Sequence, residues 1–409
     1  MRLMCPIRFK SPMRFGLLTA LLMSLLLVTA GGCAGDKKKD SKAQAVRQWQ
    51  EARAGVLHGL AKDQYKNGNF VDCRATLTEA LKLAPENVQL RILSAKLAIE
   101  QGQLEVADRE LSKARQVDPK NAEIDYLSGV IYQRWQKHET AYEYYVSASD
   151  KQPAELAYIM ARSEMLVAMG RHPEALALLQ EKMNYFEHSA VIRDAVGQLL
   201  VQSGKYNEGS EILRQATILG PDDLTIREHL AMALYLDKDY RAASEELTRL
   251  TANEKYAKRG DLWMALGECQ IQMNDSRSAR RSFDAATQLN PNLASAWLSL
   301  GRAQLQANDL RRAEGAAKRA LSLEPENGQA HLLIGYIRLR QGKKDDALAS
   351  FRKASALDQQ DTVSLCMVGY TLEQMGKSEQ ALKCYAKALK IKPNDDMARK
   401  LMASIQVAE

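Results

Sequence analysis

The chain has 409 residues, 46% of them hydrophobic and 26% charged, a balance that excludes wholesale disorder and a collagen-like fibre. Six cysteines are too few for a fold built on disulfides. The formal charge of +7 hints at a polyanion, but four of the 57 basic residues (Arg2, Arg8, Lys10 and Arg14) sit in the first 32 positions with no acid, leaving 53 against 50 in the rest.

The first element is the apolar run from Phe15 to Ala30. Its 16 residues are short for a spanning helix, which needs ~20, and suit the core of a secretory signal behind a basic start. The run ends in Thr29-Ala30-Gly31-Gly32-Cys33. Small residues before a cysteine resemble a bacterial lipobox, although Ala30 replaces the usual leucine. The resemblance implies cleavage of residues 1–32 and lipidation of Cys33, with two or three acyl chains that anchor stably where one would not. Ala34, in place of aspartate, implies sorting to the outer membrane. The expected location is therefore the cell envelope of a Gram-negative-type bacterium, facing the periplasm. Translation from Met13 would leave a compact signal, Met13–Gly32. The competing reading is an uncleaved signal anchor. After Cys33 the run Ala34–Lys42 is short and charged, which predicts a disordered tether. Residues 43–53 extend the first helix.

Beyond the leader the prolines are Pro85, Pro119, Pro153, Pro173, Pro221, Pro291, Pro325 and Pro393. Without Pro173, the successive gaps are 34, 34, 68, 70, 34 and 68. Placing each proline at position 32 of a 34-residue unit gives ten units over residues 54–395. They start at 54, 88, 122, 156, 190, 224, 260, 294, 328 and 362, with two extra residues assigned to Lys258-Arg259. Position 8 is then Ala, Gly or Ser throughout, and position 20 is Ala, Gly or Cys throughout. Position 24 is Leu, Tyr or Phe except at Ala317. Trp263-Met-Ala-Leu-Gly267 and Trp297-Leu-Ser-Leu-Gly301 repeat one signature.

This pattern resembles the tetratricopeptide repeat over residues 54–395. The resemblance implies an all-α fold: a right-handed superhelical solenoid of about ten helical hairpins. In it helices A and B of each hairpin cross closely at positions 8 and 20. Each hairpin has an apolar face that only a neighbour can bury. Position-32 prolines end helix B, because proline has no N–H to give. Pro173 instead begins a helix. Residues 396–409 place Met397, Leu401, Met402 and Ile405 on one face and predict a capping helix. The units from 156 and 224 lack the terminal proline, so a bend or hinge is expected near Thr251–Gly260.

No phosphate-binding glycine loop, nucleophile elbow or paired zinc spacing is present in the sequence, and repeats, tether and cap use up the chain after Cys33. The expectation is no enzyme, no metal and no cofactor. The six histidines (58, 138, 172, 188, 229 and 331) read as dispersed surface or loop residues. Cys73 reads as a core residue at position 20; Cys269, Cys366 and Cys384 read as free thiols.

In the resembled family, positions 2, 5, 9, 12 and 13 of helix A line a concave groove. Here those positions carry Lys62, Lys66, Lys96 and Arg134 in the first three units. The middle units carry Glu164, Asp194, Glu228, Asp261 and Glu268, and later units carry Arg302 and Arg340. Interleaved are Tyr126, Met160, Met232, Tyr235, Met264, Tyr336 and Tyr370. An acidic floor with aromatic and Met anchors suits a basic or mixed peptide; the competing reading is an ordinary solvated face whose Tyr and Met pack between helices. A basic stripe for nucleic acid is absent from these positions. The functional expectation is a protein-binding scaffold held on a membrane by its lipid, which assists assembly or docking of an envelope complex. Pilus or secretion pores, outer-membrane biogenesis and polysaccharide export are the complexes in view. The alternative is a glycan- or cell-wall-binding carrier or regulatory subunit of an envelope enzyme.

Overall fold

The structure is a computed structural model that describes residues 34–408, with side chains from 42 to 405. The apolar leader and Cys33 lie outside the described residues. The described residues form helices α1 (Ala34–Lys66), α2 (Phe70–Leu83), α3 (Val88–Glu100), α4 (Leu104–Val117), α5 (Ala122–Arg134), α6 (His138–Lys151) and α7 (Leu156–Ala168). Next come α8 (His172–Met183), α9 (Ala190–Gln202), α10 (Tyr206–Leu219), α11 (Leu224–Leu236), α12 (Tyr240–Thr251), α13 (Gly260–Gln272) and α14 (Ser276–Leu289). The last are α15 (Ala294–Gln306), α16 (Leu310–Leu323), α17 (Gly328–Arg340), α18 (Lys344–Leu357), α19 (Thr362–Glu373), α20 (Ser378–Ile391) and α21 (Asp396–Ala408). No strand occurs among them. The result is an α-solenoid of helix pairs, with odd-numbered helices as A and even-numbered as B. From α3 to α19 every A helix opens on a unit start of the sequence frame.

Two features differ from the sequence reading. The chain divides at Pro119/Lys120 into two compact units, one ending with α4 and the other beginning with α5. A uniform repeat does not announce that division. In addition, α1 starts at Ala34, so the expected tether is helical. No proline occurs between Ala34 and Lys66, and Lys, Ala and Gln propagate a helix well once the core-facing part of α1 has nucleated it.

Local chemistry repeats with the frame. Asn87, Asn121, Asp223, Asn327 and Asp361 precede A helices and accept from backbone N–H groups of the first turn, satisfying donors that have no partner inside the helix. The A-to-B turns put position 15 at positive φ. Six of these residues are glycine, but Gln136, Lys238, Asn274 and Asn308 take the same conformation. A glycine pattern alone would miss those four turns.

The hairpins close on a size exchange between positions 8 and 24. A Cβ added to Gly267 would fall 2.5 Å from the Phe283 ring, and one on Gly129 2.5 Å from the Tyr145 ring. Gly335 faces Phe351 and Gly369 faces Tyr385 in the same way. Where position 8 is alanine (Ala61, Ala95 and Ala231), position 24 is the smaller Leu77, Leu111 or Leu247, all buried. Ala317, the exception at position 24, leaves room that the next hairpin fills: a Cβ on Gly301 would meet Leu333 at 2.9 Å.

A second periodic contact joins consecutive hairpins. At six joints the position-4 side chain sets a nitrogen against the carbonyl six residues earlier, in five of them that of the position-32 proline; Asp125, Ile159 and Leu365 have no N–H to offer there, and Arg193 reaches Ser189 O instead. Trp297 Nε1 reaches Pro291 O at 2.9 Å, Arg227 reaches Pro221 O at 3.3 Å and Arg399 reaches Pro393 O at 2.8 Å. Arg91 does the same to Pro85. His331 Nε2 lies 3.1 Å from Pro325 O and is buried, which corrects its reading as a surface histidine. Trp263 Nε1 donates to Ala257 O at 3.0 Å, also six residues back. That spacing puts the two extra residues upstream of Ala257, in the turn after Thr251, rather than at Lys258-Arg259. The same turn is packed: Leu250, Thr251 and Tyr256 are buried. The aromatic Tyr256, one residue before Ala257, packs on the core there, as Phe186 does after α8.

Replacing Gly267 with Ala would force the Phe283 ring to move. The expected cost is about 1–3 kcal/mol of overpacking, reduced by the ~1 kcal/mol that alanine gains in a helix. Urea unfolding of Gly267→Ala should show a lower midpoint, and adding Phe283→Leu should recover most of the loss.

Candidate binding groove

The A helices of the second unit expose a groove of about 680 Å³, floored mainly by α7 and α9 and closed at one end by Tyr126 of α5. Its walls are apolar: Leu156, Met160, Val167, Val191, Ala195 and Leu199 line it. Glu164, Gln198 and Gln202 supply the polar rim. The sequence explains the opening. Val191 and Val167, at positions 2 and 12, are aliphatic, while the small Ala157, Ala161 and Ala195 leave space between the larger residues.

Glu164 is exposed but held. Tyr145 Oη donates to Gln133 Oε1 at 2.6 Å, and Gln133 Nε2 donates to Glu164 Oε1 at 3.1 Å. A buried ring thus positions the rim carboxylate through one amide, and burial pushes the Tyr145 phenol well above its ordinary pKa. Tyr126 is half-buried against the Tyr145 and Tyr158 rings, with centroids 5.7 and 4.8 Å away.

The remaining acidic positions are paired rather than bare. Asp194 accepts from Gln198 at 2.7 Å and faces His229 Nδ1 at 2.8 Å. Glu228 accepts from Arg259 at 2.7 Å, and Arg259 also binds Asp261, whose pKa falls chiefly through that hydrogen bond. Glu268 accepts from Ser299 at 3.2 Å. Arg259, supplied by the irregular turn, therefore neutralises part of the expected acidic floor. Sequence reasoning missed it because it lies outside the five groove positions.

The anchors divide. Met232 is exposed, and Met160 lines the groove. Tyr235 stacks edgewise on Tyr240, Met264 packs near Phe283, and Tyr370 joins the carboxy-terminal core. Tyr336 packs edgewise on Phe351 and, with Arg302, lines a separate pocket of about 230 Å³ between α15 and α17. Arg302 donates to Gln329 there at 2.8 Å. The groove proper brings together Tyr126, Met160 and Glu164 of the predicted set and adds Val167 and Val191. Arg134 is exposed at the end of α5, and Arg340 at the end of α17. Lys62, Lys66 and Lys96 belong to the first unit; Lys62 and Lys66 are exposed and Lys96 is half-buried.

Cys73, Cys269 and Cys366 are buried free thiols, and Cys384 is a half-buried one. Burial raises the Cys269 and Cys366 pKa values to about 11. Among the described residues no group of three or more His, Cys, Asp or Glu is placed to hold a metal ion. No helix among them is long and apolar enough to cross a membrane.

Three family profiles match the chain. One described as the cilia and flagella-associated protein 70 C-terminal domain matches residues 249–409, and two described as tetratricopeptide repeat match 64–131 and 196–253. A curated relative, the BBSome complex member BBS4 of Bos taurus, is 22% identical over 282 residues, 69% of this chain and 53% of its own length. The chain thus spans about half of that relative. Among solved structures, the APC/C hetero-tetramer Cut9–Hcn1 aligns over 90% of this chain and 94% of its own at 13% identity and a TM-score of 0.43. A thermophilic repeat protein of Thermus thermophilus aligns over 45% and 99% at 22% identity and a TM-score of 0.39.

The His229–Asp194 pair joins neighbouring hairpins beside the groove. Its hydrogen bond raises the imidazole pKa above the ordinary 6.5, against the opposing effect of burial. A raised folded-state value means the pair stabilises fully below the unfolded pKa and loses that contribution as pH rises through the folded one. The unfolding midpoint should therefore fall as pH rises from about 6.5, the unfolded imidazole value, through the raised folded one. His229→Gln should flatten that part of the profile.

Proposed function

The chain belongs to the tetratricopeptide-repeat family, and from that premise we propose that it is a non-catalytic scaffold, carried on a membrane by lipid at Cys33, that docks a protein partner in the α5/α7/α9 groove. Tetratricopeptide repeats imply a protein-interaction scaffold, and proteins built from them are generally without catalysis. The observation that carries the finer reading is the groove itself: an apolar trough with one fixed carboxylate, able to bury a partner's side chains and orient a basic group. Paired acids deeper along the A-helix face add a weaker attraction for positive charge. The curated relative is a member of a multi-subunit complex, and service in such an assembly is part of this proposal.

The envelope location rests on the leader. A basic start, a 16-residue apolar run and small residues abutting Cys33 support export and lipidation, and Ala34 supports the outer membrane, facing the periplasm. The partner is then a component of an envelope assembly.

Two experiments test the two halves. Cys33→Ser should abolish fatty-acid labelling and move the protein from the membrane to the soluble fraction; unchanged labelling sinks the anchor. A photo-crosslinker at Gln202 in the native host should yield discrete protein adducts. Glu164→Lys should cut their yield at least about threefold by reversing the rim charge. Adducts of glycan in place of protein would instead support the carrier reading.

A further inference from the structure

Helix α1 carries an apolar face that no other described residue of its unit covers. Its inner side packs in the ordinary way, with Ala54 and Ala61 fully buried and Leu57 against the core. The outer side exposes Val46 (48%), Trp49 (57%), Val56 (74%) and Leu60 (49%). Among the described residues α1 is the first A helix and has no preceding hairpin, yet it ends the array with large apolar groups where a polar cap is usual.

These residues follow a seven-residue period. Lys42, Trp49, Val56 and Asp63 recur at one position, and Ala45, Ala52 and Gly59 recur three residues after it. Val46 and Leu60 flank the same stripe. Arg53 breaks it in sequence only: its guanidinium lies 5.4 Å over the Trp49 ring and pairs with Glu79 of α2, which draws it toward its own unit. Gly55 and Gly59 add a separate observation. A methyl group on either would meet nothing within 4 Å. Glycine weakens a helix interior, and nothing packed within the unit calls for it at either place.

We propose that the outer face of α1 pairs with α1 of a second copy of this chain, antiparallel, about a two-fold axis between Ala52 and Arg53. That register is set by size and by charge. It places the two large apolar groups Trp49 and Val56 of the second copy together, and sets Val46 opposite Gly59 and Ala45 opposite Leu60, where a large group meets a small one and the empty surroundings of Gly59 are filled. It also places Lys42 opposite Asp63 at both ends of the seam. A parallel pair would set lysine against lysine and aspartate against aspartate. The seam runs about 32 Å at 1.5 Å per residue, three heptads of the kind that antiparallel helix pairs use. The two-fold makes the contact self-limiting: it closes on a dimer instead of growing into a fibre.

Sedimentation velocity of the full chain in non-ionic detergent, across the micromolar range, tests this. A monomer–dimer equilibrium is expected. Val56→Glu should raise the dimer dissociation constant about a hundredfold, because it buries two charges in an apolar seam. Lys42→Glu alone should raise it about tenfold, since it sets like charges together twice, and Lys42→Glu combined with Asp63→Lys should restore it. All of these side chains are exposed, so thermal unfolding followed by circular dichroism should stay near that of the parent. A monomer at every concentration overturns the proposal, as does a dimer indifferent to Val56→Glu. Failure of the charge exchange to restore association overturns the antiparallel register.

Discussion

The structure depends on the clearance between the two helices of each hairpin. Helices can approach closely only where side chains allow, and here the allowance is shared between one position on each helix. Phe283 and Phe351 enter because Gly267 and Gly335 withdraw, while Ala231 is admitted because Leu247 is slimmer. Glycine with an aromatic ring and alanine with leucine keep the sum of the two nearly constant, whereas Gly197 with Leu213 and Gly301 with Ala317 fall below it, the latter gap being filled by Leu333. Dense interiors punish even one surplus methyl group, which makes this exchange a constraint rather than a preference.

The contact from position 4 to the preceding proline carbonyl does complementary work. Proline ends helix B and leaves a carbonyl at the turn with no helical partner. An indole, a guanidinium or an imidazole fills that need equally well, because each offers an N–H at the end of a side chain of suitable reach. Chemically dissimilar Trp297, His331 and Arg399 are therefore equivalent. The requirement is a donor at a distance, not a residue type.

Much of this was legible in the sequence. Proline spacing set the frame, and small residues at two positions supported it independently. The pairing of aromatic with glycine was equally visible in the letters, but its meaning required knowing that the two positions touch. The groove was less legible. Tyr126, Met160 and Glu164 were placed by the groove positions of the resembled family, whereas Val191 and Val167, at positions 2 and 12 of the same set, were passed over because only charged, aromatic and Met residues were weighed. Arg259 could not be foreseen, since it comes from the one turn where the period slips. The helical start of α1 was misread because charge was weighed above the absence of a helix breaker. Whether a tyrosine lines a groove or packs between neighbours, as Tyr235 and Tyr370 do, depends on one rotation about the helix axis that period does not fix.

The six-residue reach of the position-4 donor has a bearing on how such a gene can change. Where position 4 carries a donor, the turn is completed by the hairpin that follows it, so there the unit of exchange is not one hairpin but the stretch from one donor to the next. A crossover between two such donor codons returns an array in which the joined turn still finds its N–H, whichever of tryptophan, histidine or arginine the two parents carried; the units that carry Asp125, Ile159 and Leu365 at this position fall outside the scheme. A crossover out of phase strands a carbonyl and a donor together. The two-residue excess before Ala257 shows the tolerance of the scheme: length may vary upstream of the acceptor, provided the distance from acceptor to donor is kept. The array can thus lengthen or shorten by recombination in whole steps, with α21 and its Arg399 closing the last turn.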